Sequence, residues 1–177
     1  ILLITETGAW IKKENASFTP FTIPGISDTL LVKEGCMFND TLLFVSDYKR
    51  LWKYNLRSKS TSEITFKHAI KTENGRLPYI DYLTCANNKL WTLNANGWLS
   101  YLEGNQLVPI QFSNLKEEGS NGYYSMMQAD SKGNLWITKK LTGLLFYNSN
   151  TKECKIYHEY HGLASDNIMT SVLDKKD

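Results

Sequence analysis

The sequence contains an internal repeat of about 45 residues, and this repeat restricts the possible folds more than any other feature. Each copy has an aliphatic and aromatic segment, a short polar turn, and a second segment rich in aromatic residues. Equivalent positions in the first segment fall at Leu2, Phe44, Trp91 and Trp136, which are 42, 47 and 45 residues apart. Short apolar segments bounded by turn residues predict paired β-strands. The predicted pairs are 1–5 with 8–11, 43–46 with 50–54, 90–93 with 97–101, and 135–138 with 143–147.

Each repeat also supplies two further strands. Small and flexible apolar residues precede three of the strand pairs and predict innermost strands at 34–38, 82–86 and 124–128. More polar segments follow the pairs and predict outer edge strands at 18–22, 63–66, 107–110 and 155–158. Pro20 and Pro109 fall in outer strands, where a missing backbone N–H costs no hydrogen bond of the sheet. Units of this kind at this period predict an all-β fold, a partial β-propeller of about four blades with four antiparallel strands each.

The repeat divides a single domain, residues 1–177, into blades at about 1–33, 34–79, 80–122 and 123–166, with the start of a fifth at 167–177. Residues 168–173 are predicted to form the innermost strand of that fifth unit, whereas residue 1 opens directly on a second strand. The chain is therefore expected either to be a segment of a larger propeller or to place strand 168–173 beside strand 1–5. A segment would expose the apolar faces of its end blades, so a homodimer through these blades is expected.

Charge and hydropathy argue against two classes of partner. The net charge of +2 gives no broad electrostatic case for nucleic acid, and no apolar run approaches the length of a bilayer span, so no direct insertion into a membrane is expected. Three cysteines form no Cys-x-x-Cys pair, and their odd number leaves at least one thiol free unless chains pair. Cys36 and Cys85 lie in apolar strand patterns and are predicted to be buried thiols.

Residues that would carry catalysis or bind a metal do not occur in the spacings that such chemistry requires. The three histidines, His68, His158 and His161, form no metal-binding frame, and the sequence has no Gly-x-Ser-x-Gly elbow or phosphate loop. His158 and His161 are predicted to face solvent. The segment from Asp130 to Gly133 is interpreted as a structural turn and not as a calcium loop, which needs several oxygen ligands. No catalytic residue, metal or cofactor is predicted.

A ligand is expected to contact one end of the propeller, formed by the turns between second and third strands and by the loops between blades. Ring, amide and charged side chains suited to sugars are predicted at this end. They are Asp47, Tyr48, Lys49, Arg76, Tyr79, Asn94, Ala95, Asn96, Tyr123, Lys139, Lys140 and His161. Trp91 and Trp136 share a repeat position with Leu2 and Phe44, so packing between blades is predicted for them. Packing is also predicted for the third-strand tryptophans, Trp10, Trp52 and Trp98.

The last complete unit carries a motif of turn and packing residues. It reads Asp130-x-x-Gly133-Asn134-Leu135-Trp136, then Gly143-Leu144-Leu145-Phe146-Tyr147, then Gly162-Leu163-Ala164-Ser165-Asp166-Asn167-Ile168. This pattern resembles the two-component regulator propeller repeat. The match is close over 123–174 and looser over 34–112, where Arg50 replaces the glycine of the third strand. Residues 1–33 match only in the strand pair.

The resemblance implies the periplasmic sensor region of a hybrid two-component histidine kinase in the inner membrane. Such a receptor is expected to have two seven-bladed propellers, a small β-sandwich, one membrane span and a cytoplasmic kinase. The implied ligand is an oligosaccharide derived from a polysaccharide, whose utilisation genes the receptor controls. The segment itself is then expected to be non-catalytic. A protein–protein interaction scaffold and a propeller lyase or glycosidase are the alternatives.

Overall fold

The computed structural model describes residues 2–5, 8–12, 17–26, 32–47, 49–66, 79–94, 97–110 and 123–174. Regular structure in these stretches consists of fifteen β-strands and one turn of 3₁₀-helix, Glu159–His161. The fold is therefore all-β, as the sequence predicts. None of these stretches contains a helix long and apolar enough to cross a membrane.

The first two units are antiparallel meanders, in which strands that follow one another in sequence are paired. The strands of the first are β1 (Leu2–Thr5), β2 (Gly8–Ile11) and β3 (Thr19–Phe21). Those of the second are β4 (Glu34–Asn39), β5 (Leu42–Ser46), β6 (Leu51–Asn55) and β7 (Ser60–Phe66). Short polar turns join these strands, because an antiparallel pair needs only a few residues to reverse direction.

The last two units repeat the four-stranded meander. Their strands are β8 (Tyr82–Ala86), β9 (Lys89–Leu93), β10 (Leu99–Glu103), β11 (Gln106–Ile110), β12 (Tyr124–Ala129), β13 (Leu135–Lys139), β14 (Gly143–Tyr147) and β15 (Cys154–Tyr157). A short parallel pairing of β11 with β7 joins the second and third units into one eight-stranded sheet. The sequence-based prediction of separate four-stranded blades does not include this pairing. It arises because the outer strands of successive units run in the same direction and satisfy each other's exposed backbone groups.

The core lies between successive units, and the second strands β5 and β9 each contribute to two of its layers. Leu43 and Val45 of β5 pack with apolar residues of the first unit, whereas Phe44 between them packs with the third unit. Trp91 of β9 occupies the position of Phe44 and packs with the fourth unit, including Tyr147. Phe44 and Trp91 are each only 1% exposed. This confirms the predicted packing role of these two aromatic positions, since alternate residues of a strand point to opposite faces.

The innermost strands β4, β8 and β12 lie side by side. Cys36 of β4 and Cys85 of β8 form a disulfide with their Cα atoms 6.0 Å apart. The prediction of two buried thiols is therefore wrong, because equivalent strands of successive units are neighbours and bring these side chains within bonding distance. Cys154 keeps a free, half-buried thiol, and burial raises its pKa to about 11.

Residues 168–173 do not form the predicted strand. They lie instead over β12: the backbone carbonyl of Ile168 accepts a hydrogen bond from Ser125 Oγ at 3.3 Å, and Thr170 Oγ1 donates to Met126 Sδ at 3.2 Å. The segment contacts side chains of β12. Its backbone is hydrogen-bonded to no neighbouring strand in the described residues, so it does not form a strand. Its predicted place beside strand 1–5 is not observed either, since β1 pairs with β2 alone among the described strands.

The remaining tryptophans differ in their surroundings. Trp52 on β6 is buried against the first unit, as predicted. Trp98 lies just before β10 and is half-buried, and Trp10 on β2 is also half-buried. Trp136 is half-buried too, although its repeat position is that of Trp91. The described residues therefore cover Trp136 less completely than they cover Trp91.

Candidate functional site

The turns between second and third strands lie at one end of the sheets, here called the turn end. Backbone hydrogen bonds place the start of each innermost strand at the same end: Lys33 donates to Ser46, Asp81 to Leu93, and Lys140 to Tyr123. The antiparallel pairing of innermost and second strands requires this arrangement. The structure therefore brings the described members of the predicted ligand-contacting set to one end of the molecule.

Three residues of the predicted set stabilise the turn end from within. Asp47 Oδ1 accepts hydrogen bonds from the backbone N–H groups of Lys49 and Arg50, and Asp47 Oδ2 pairs with the Arg50 guanidinium at 2.8 Å. Asn94 is buried, and its Oδ1 accepts from the backbone N–H of Trp98 at 2.8 Å. Lys139 is also buried, with Nζ 5.3 Å from the centre of the Tyr124 ring. The side chains of Asp47, Asn94 and Lys139 are thus committed to structure and are poor candidates for ligand contact.

Other side chains of the predicted set are exposed at the turn end. Tyr123, just before β12, is 67% exposed, and Tyr79 before β8 is exposed as well. Lys140 is exposed and hydrogen-bonded through its backbone to Tyr123, so the two residues are neighbours. Leu141 follows with a φ of 65° and an exposed side chain. These neighbouring residues carry an exposed ring, an ammonium group and an apolar side chain, which suit stacking and hydrogen bonding to a polar ligand.

A cluster of rings lies at the outer corner of the same end. His158 stacks on Tyr160 with ring centres 4.9 Å apart, and His161 lies 4.2 Å from Tyr160. His161 Nδ1 accepts a hydrogen bond from the backbone N–H of His158 at 3.1 Å, which holds the turn in place. Tyr160 is 78% exposed. The sequence prediction included His161 but missed Tyr160, although three ring residues within four positions were the available signal.

The loop after this cluster returns to the third strand. Glu159 donates its backbone N–H to Asp166 Oδ1 at 2.8 Å, and Gly143 donates its backbone N–H to the carbonyl of Asp166 at 2.9 Å. Gly143 has a φ of 105°, and a Cβ at this position would overlap the carbonyl oxygen of Tyr157. The close approach of the end of β15 to Gly143 thus depends on glycine at this position.

Substitution of Gly143 by alanine is expected to lower the free energy of unfolding by about 3 kcal/mol, because the clash adds to the strain of a positive φ. Gly104→Ala is the matched control: Gly104 has a φ of 60°, and an added Cβ has nothing within 4 Å. Its expected loss is about 1 kcal/mol, from strain alone. Urea denaturation followed by circular dichroism measures both values. Equal losses in the two variants would contradict the tight packing described for Gly143.

Four predicted positions, Tyr48, Arg76, Ala95 and Asn96, lie outside the described residues, as does His68. Across the described stretches, no group of three or more histidine, cysteine or acidic side chains is arranged to hold a metal ion.

Two acidic residues interact at the turn end: Glu34 at the start of β4 and Asp81 just before β8. Burial, together with the negative charge of Asp81, raises the pKa of Glu34 to about 7. Glu34 begins β4 and is opposite Ser46 on β5, whose buried hydroxyl has no hydrogen-bond partner among the described residues. A carboxyl group in this position changes charge near neutral pH. We therefore expect the stability of the boundary between the second and third units to depend on pH.

An open cleft of about 300 Å³ lies at the opposite end of the fourth unit. It is lined by Asp130, Ser131, Lys132, Asn134, Trp136 and Phe146. Burial alone would raise the pKa of Asp130, but hydrogen bonds from Asn134, Trp136 and Lys132 outweigh it, and the pKa is lowered. Gly133 has a φ of 76°. The carboxylate is fully engaged within its own turn, which agrees with the predicted structural role of this motif.

The sequence matches no protein-family model and no curated protein. Its structure is similar to the extracellular domain of BT4673 from B. thetaiotaomicron, assigned as a one-component system, with a TM-score of 0.59 and 12% sequence identity. The similarity covers 93% of this chain and 21% of that one, so the chain spans about a fifth of its length. The two proteins share an all-β fold over this region.

Two other solved structures align with lower TM-scores. PorZ, a surface component of the type-IX secretion system of Porphyromonas gingivalis, has a TM-score of 0.48 and 12% identity over 96% of this chain and 34% of its own. The extracellular domain of BT4673, assigned as a hybrid two-component system, has a TM-score of 0.37 and 13% identity over 95% of this chain and 33% of its own.

Proposed function

We propose that this chain is part of a β-propeller in the periplasmic sensor region of a two-component receptor, and that it recognises an oligosaccharide at the turn end without modifying it. The observation that carries the proposal is the group of exposed side chains at that end, Tyr123, Lys140 and Tyr160. The propeller, the compartment and the ligand class each have separate support.

The stacking of the units supports a propeller. Each described layer of core lies between two successive units, and β4, β8 and β12 lie side by side as innermost strands around an axis would. Four-stranded meanders that repeat at about 45 residues are the building blocks of propellers.

The disulfide between Cys36 and Cys85 supports an extracytoplasmic location, because disulfides persist in oxidising compartments and are rare in the cytosol. The fold is shared with an extracellular domain. The repeat motif around Asp130 and Trp136 adds the resemblance to sensor propellers. Together these observations favour a sensor over a cytosolic scaffold.

The chemistry of the turn end supports a sugar ligand. Pyranose rings present C–H faces that pack on aromatic rings, and their hydroxyl groups need charged or amide partners. Tyr123 supplies an exposed ring beside Lys140, and Tyr160 supplies a second ring at the outer corner of the same sheet. From β12 to β15 the sheet is about 14 Å wide at a spacing of about 4.8 Å per strand. This width suits an oligosaccharide better than a monosaccharide.

A thermal-shift screen of plant and host oligosaccharides tests this proposal. A ligand at a hundredfold excess over its dissociation constant should stabilise the fold by about 2.7 kcal/mol. The double variant Tyr123→Ala/Lys140→Ala should lose the shift and keep the melting temperature of the free protein, because both side chains are exposed. Phe18→Ala, which removes an exposed ring elsewhere, should keep the shift. An unchanged shift in the double variant would contradict binding at the turn end, and release of sugar products would indicate an enzyme.

A further inference from the structure

Two ammonium groups lie close together where the third and fourth units meet, at the end opposite the turn end. Lys89 begins β9, and its Nζ lies 5.8 Å from the centre of the Trp91 ring and 5.9 Å from that of Tyr101. Lys152 belongs to the turn between β14 and β15, and its Nζ donates to the carbonyl of Ser149 at 2.7 Å. Burial and the positive charge of Lys89 lower the pKa of Lys152. The two like charges therefore repel each other across the boundary.

The packing of the two units fixes the backbone positions of both lysines. Tyr147, at the end of the strand that leads to the Lys152 turn, meets Trp91 edge-on with ring centres 5.8 Å apart. Asn87, just before β9, donates from its side chain to the backbone carbonyl of Lys132 in the fourth unit. Moving the units apart would break these contacts, so the repulsion is not relieved in that way.

No carboxylate neutralises these charges in the part of the chain that the structure describes. Neither lysine forms an ion pair there. The carboxylate next to Lys152 in the sequence, that of Glu153, accepts a hydrogen bond from the Thr151 hydroxyl at 2.9 Å. Glu103, at the end of β10, is exposed. A bound anion would lie between two cations and would replace their repulsion by attraction.

A hydrogen-bond donor beside the pair also lacks an acceptor. Trp91 is 1% exposed, and its indole N–H has no hydrogen-bond partner among the described residues. A buried donor without an acceptor lowers stability, because the N–H has lost its hydrogen bond to water. Lysine ammonium and indole groups donate hydrogen bonds and accept none. The cluster is therefore suited to a negatively charged group with several acceptor oxygens.

The repeat does not require a lysine at position 89. The equivalent residues of the second and fourth units are Leu42 and Asn134. A lysine does recur at the turn position of Lys152, because Lys59 in the second unit has a φ of 57° against 66° for Lys152. Lys59 therefore serves the same kind of turn away from Lys89, and it provides a matched control.

We propose that Lys89 and Lys152 bind an oxyanion, a sulfate or phosphate group, at the boundary between the third and fourth units. Each ammonium group donates to an oxygen of the anion, and the Trp91 indole N–H offers a third donor. The site lies at the end opposite the turn end, so it does not depend on the proposed recognition of an oligosaccharide there. The oxyanion is either a free ion or an ester group on a sugar.

Isothermal titration calorimetry with inorganic phosphate and with sulfate, at constant ionic strength, tests the site. The wild-type chain is expected to bind both ions. Lys89→Gln and Lys152→Gln should each weaken binding about tenfold, because each removes a charge-assisted hydrogen bond. Lys59→Gln removes a lysine from the equivalent turn and should leave the affinity unchanged. Circular dichroism establishes that each variant remains folded.

Two results of this titration would overturn the proposal. One is a wild-type chain that binds neither ion more strongly than it binds chloride. The other is an equal affinity in the wild type, Lys89→Gln and Lys152→Gln. A loss of the same size in Lys59→Gln would also contradict it, since the effect would then reflect only the net charge of the chain.

Nuclear magnetic resonance of the Lys152 ammonium group tests the arrangement of the pair. Its pKa should rise in Lys89→Gln, because the repulsion is lost, and it should rise in the wild type when phosphate is added. An unchanged pKa in both experiments would contradict a site between the two lysines.

The source of the oxyanion is distinguished by titrating glucose 6-phosphate and galactose 6-sulfate beside the free ions. Equal affinities for ester and ion, both reduced in Lys89→Gln, support a site that recognises the anion alone. Tighter binding of one ester, reduced in the same variant, supports that sugar ester as the ligand. Ester binding that is unaffected by Lys89→Gln would contradict the proposed site.

Discussion

The double variant Cys36→Ser/Cys85→Ser is expected to unfold with a free energy about 3 to 4 kcal/mol lower than that of the wild type. The disulfide joins residues 49 positions apart, and a loop of this length removes much of the conformational entropy of the unfolded chain. For a chain of this size the loss corresponds to a melting temperature about 10 °C lower. Thermal and urea denaturation measure the effect.

Cys154→Ser is the matched control for this prediction. Cys154 is half-buried and unpaired, so its loss should cost much less than the loss of the disulfide. A reductant should lower the melting temperature of the wild type and of Cys154→Ser but should leave Cys36→Ser/Cys85→Ser unchanged. If the reductant had the same effect on all three proteins, the disulfide would not account for the stability. Thiol titration of the denatured, unreduced chain should find one free thiol.

The second large effect concerns Glu34 and pH. Its pKa is about 7 in the folded chain against an ordinary value of 4.5, so the folded state favours the neutral form. Below pH 4.5 both states are protonated and Glu34 costs nothing. Between pH 4.5 and 7 only the unfolded state loses its proton, so stability falls as pH rises. Above pH 7 the cost is constant at about 2 kcal/mol, after allowance for partial exposure.

Glu34→Gln removes this titration while keeping a similar shape. The variant should be about 2 kcal/mol more stable than the wild type at pH 8 and equally stable at pH 4. Glu63→Gln, on the exposed side of β7, is the control and should show no comparable difference between the two pH values. Urea denaturation at several pH values measures the difference between each variant and the wild type. A constant difference for Glu34→Gln would show that burial of the carboxyl group has no effect on folding.

The sequence predicts the strands well because the repeat reports both their spacing and their faces. Phe44 and Trp91 share a repeat position, and both are buried between units as expected. Trp136 shares that position and is only half-buried. A repeat position determines which way a side chain points, whereas burial also requires another sheet to cover it. The difference between Trp91 and Trp136 therefore reflects their neighbours and not their strands.

Two features depend on contacts that lie far apart in the sequence. In the sequence, Cys36 and Cys85 look like isolated apolar residues. They form a disulfide because β4 and β8 are adjacent in the fold. Their occurrence on the innermost strands of successive units was an available signal. The parallel pairing of β7 with β11 has no signature in either strand, since it depends on the relative rotation of two units.

The sequence predicts that the candidate ligand-contacting residues meet at one end of the sheets, and the described ones do; ligand binding at that end stays a prediction. The repeat places Asp47 and Asn94 at turns of this end, yet both side chains cap their own turns. Asp and Asn are the residues that turns favour for this purpose, so their polarity alone did not indicate ligand binding. Tyr160 is 78% exposed at that end, but its position depends on the short 3₁₀-helix after β15.

Isothermal titration calorimetry with an oligosaccharide that stabilises the fold measures binding at the turn end directly. We expect saturable binding at one site per chain and chemically unchanged sugar after the titration. Binding should be lost in Tyr123→Ala/Lys140→Ala and retained in Phe18→Ala. Binding that is equally strong in the double variant, or a sugar recovered as cleavage products, would contradict a sensor site at the turn end.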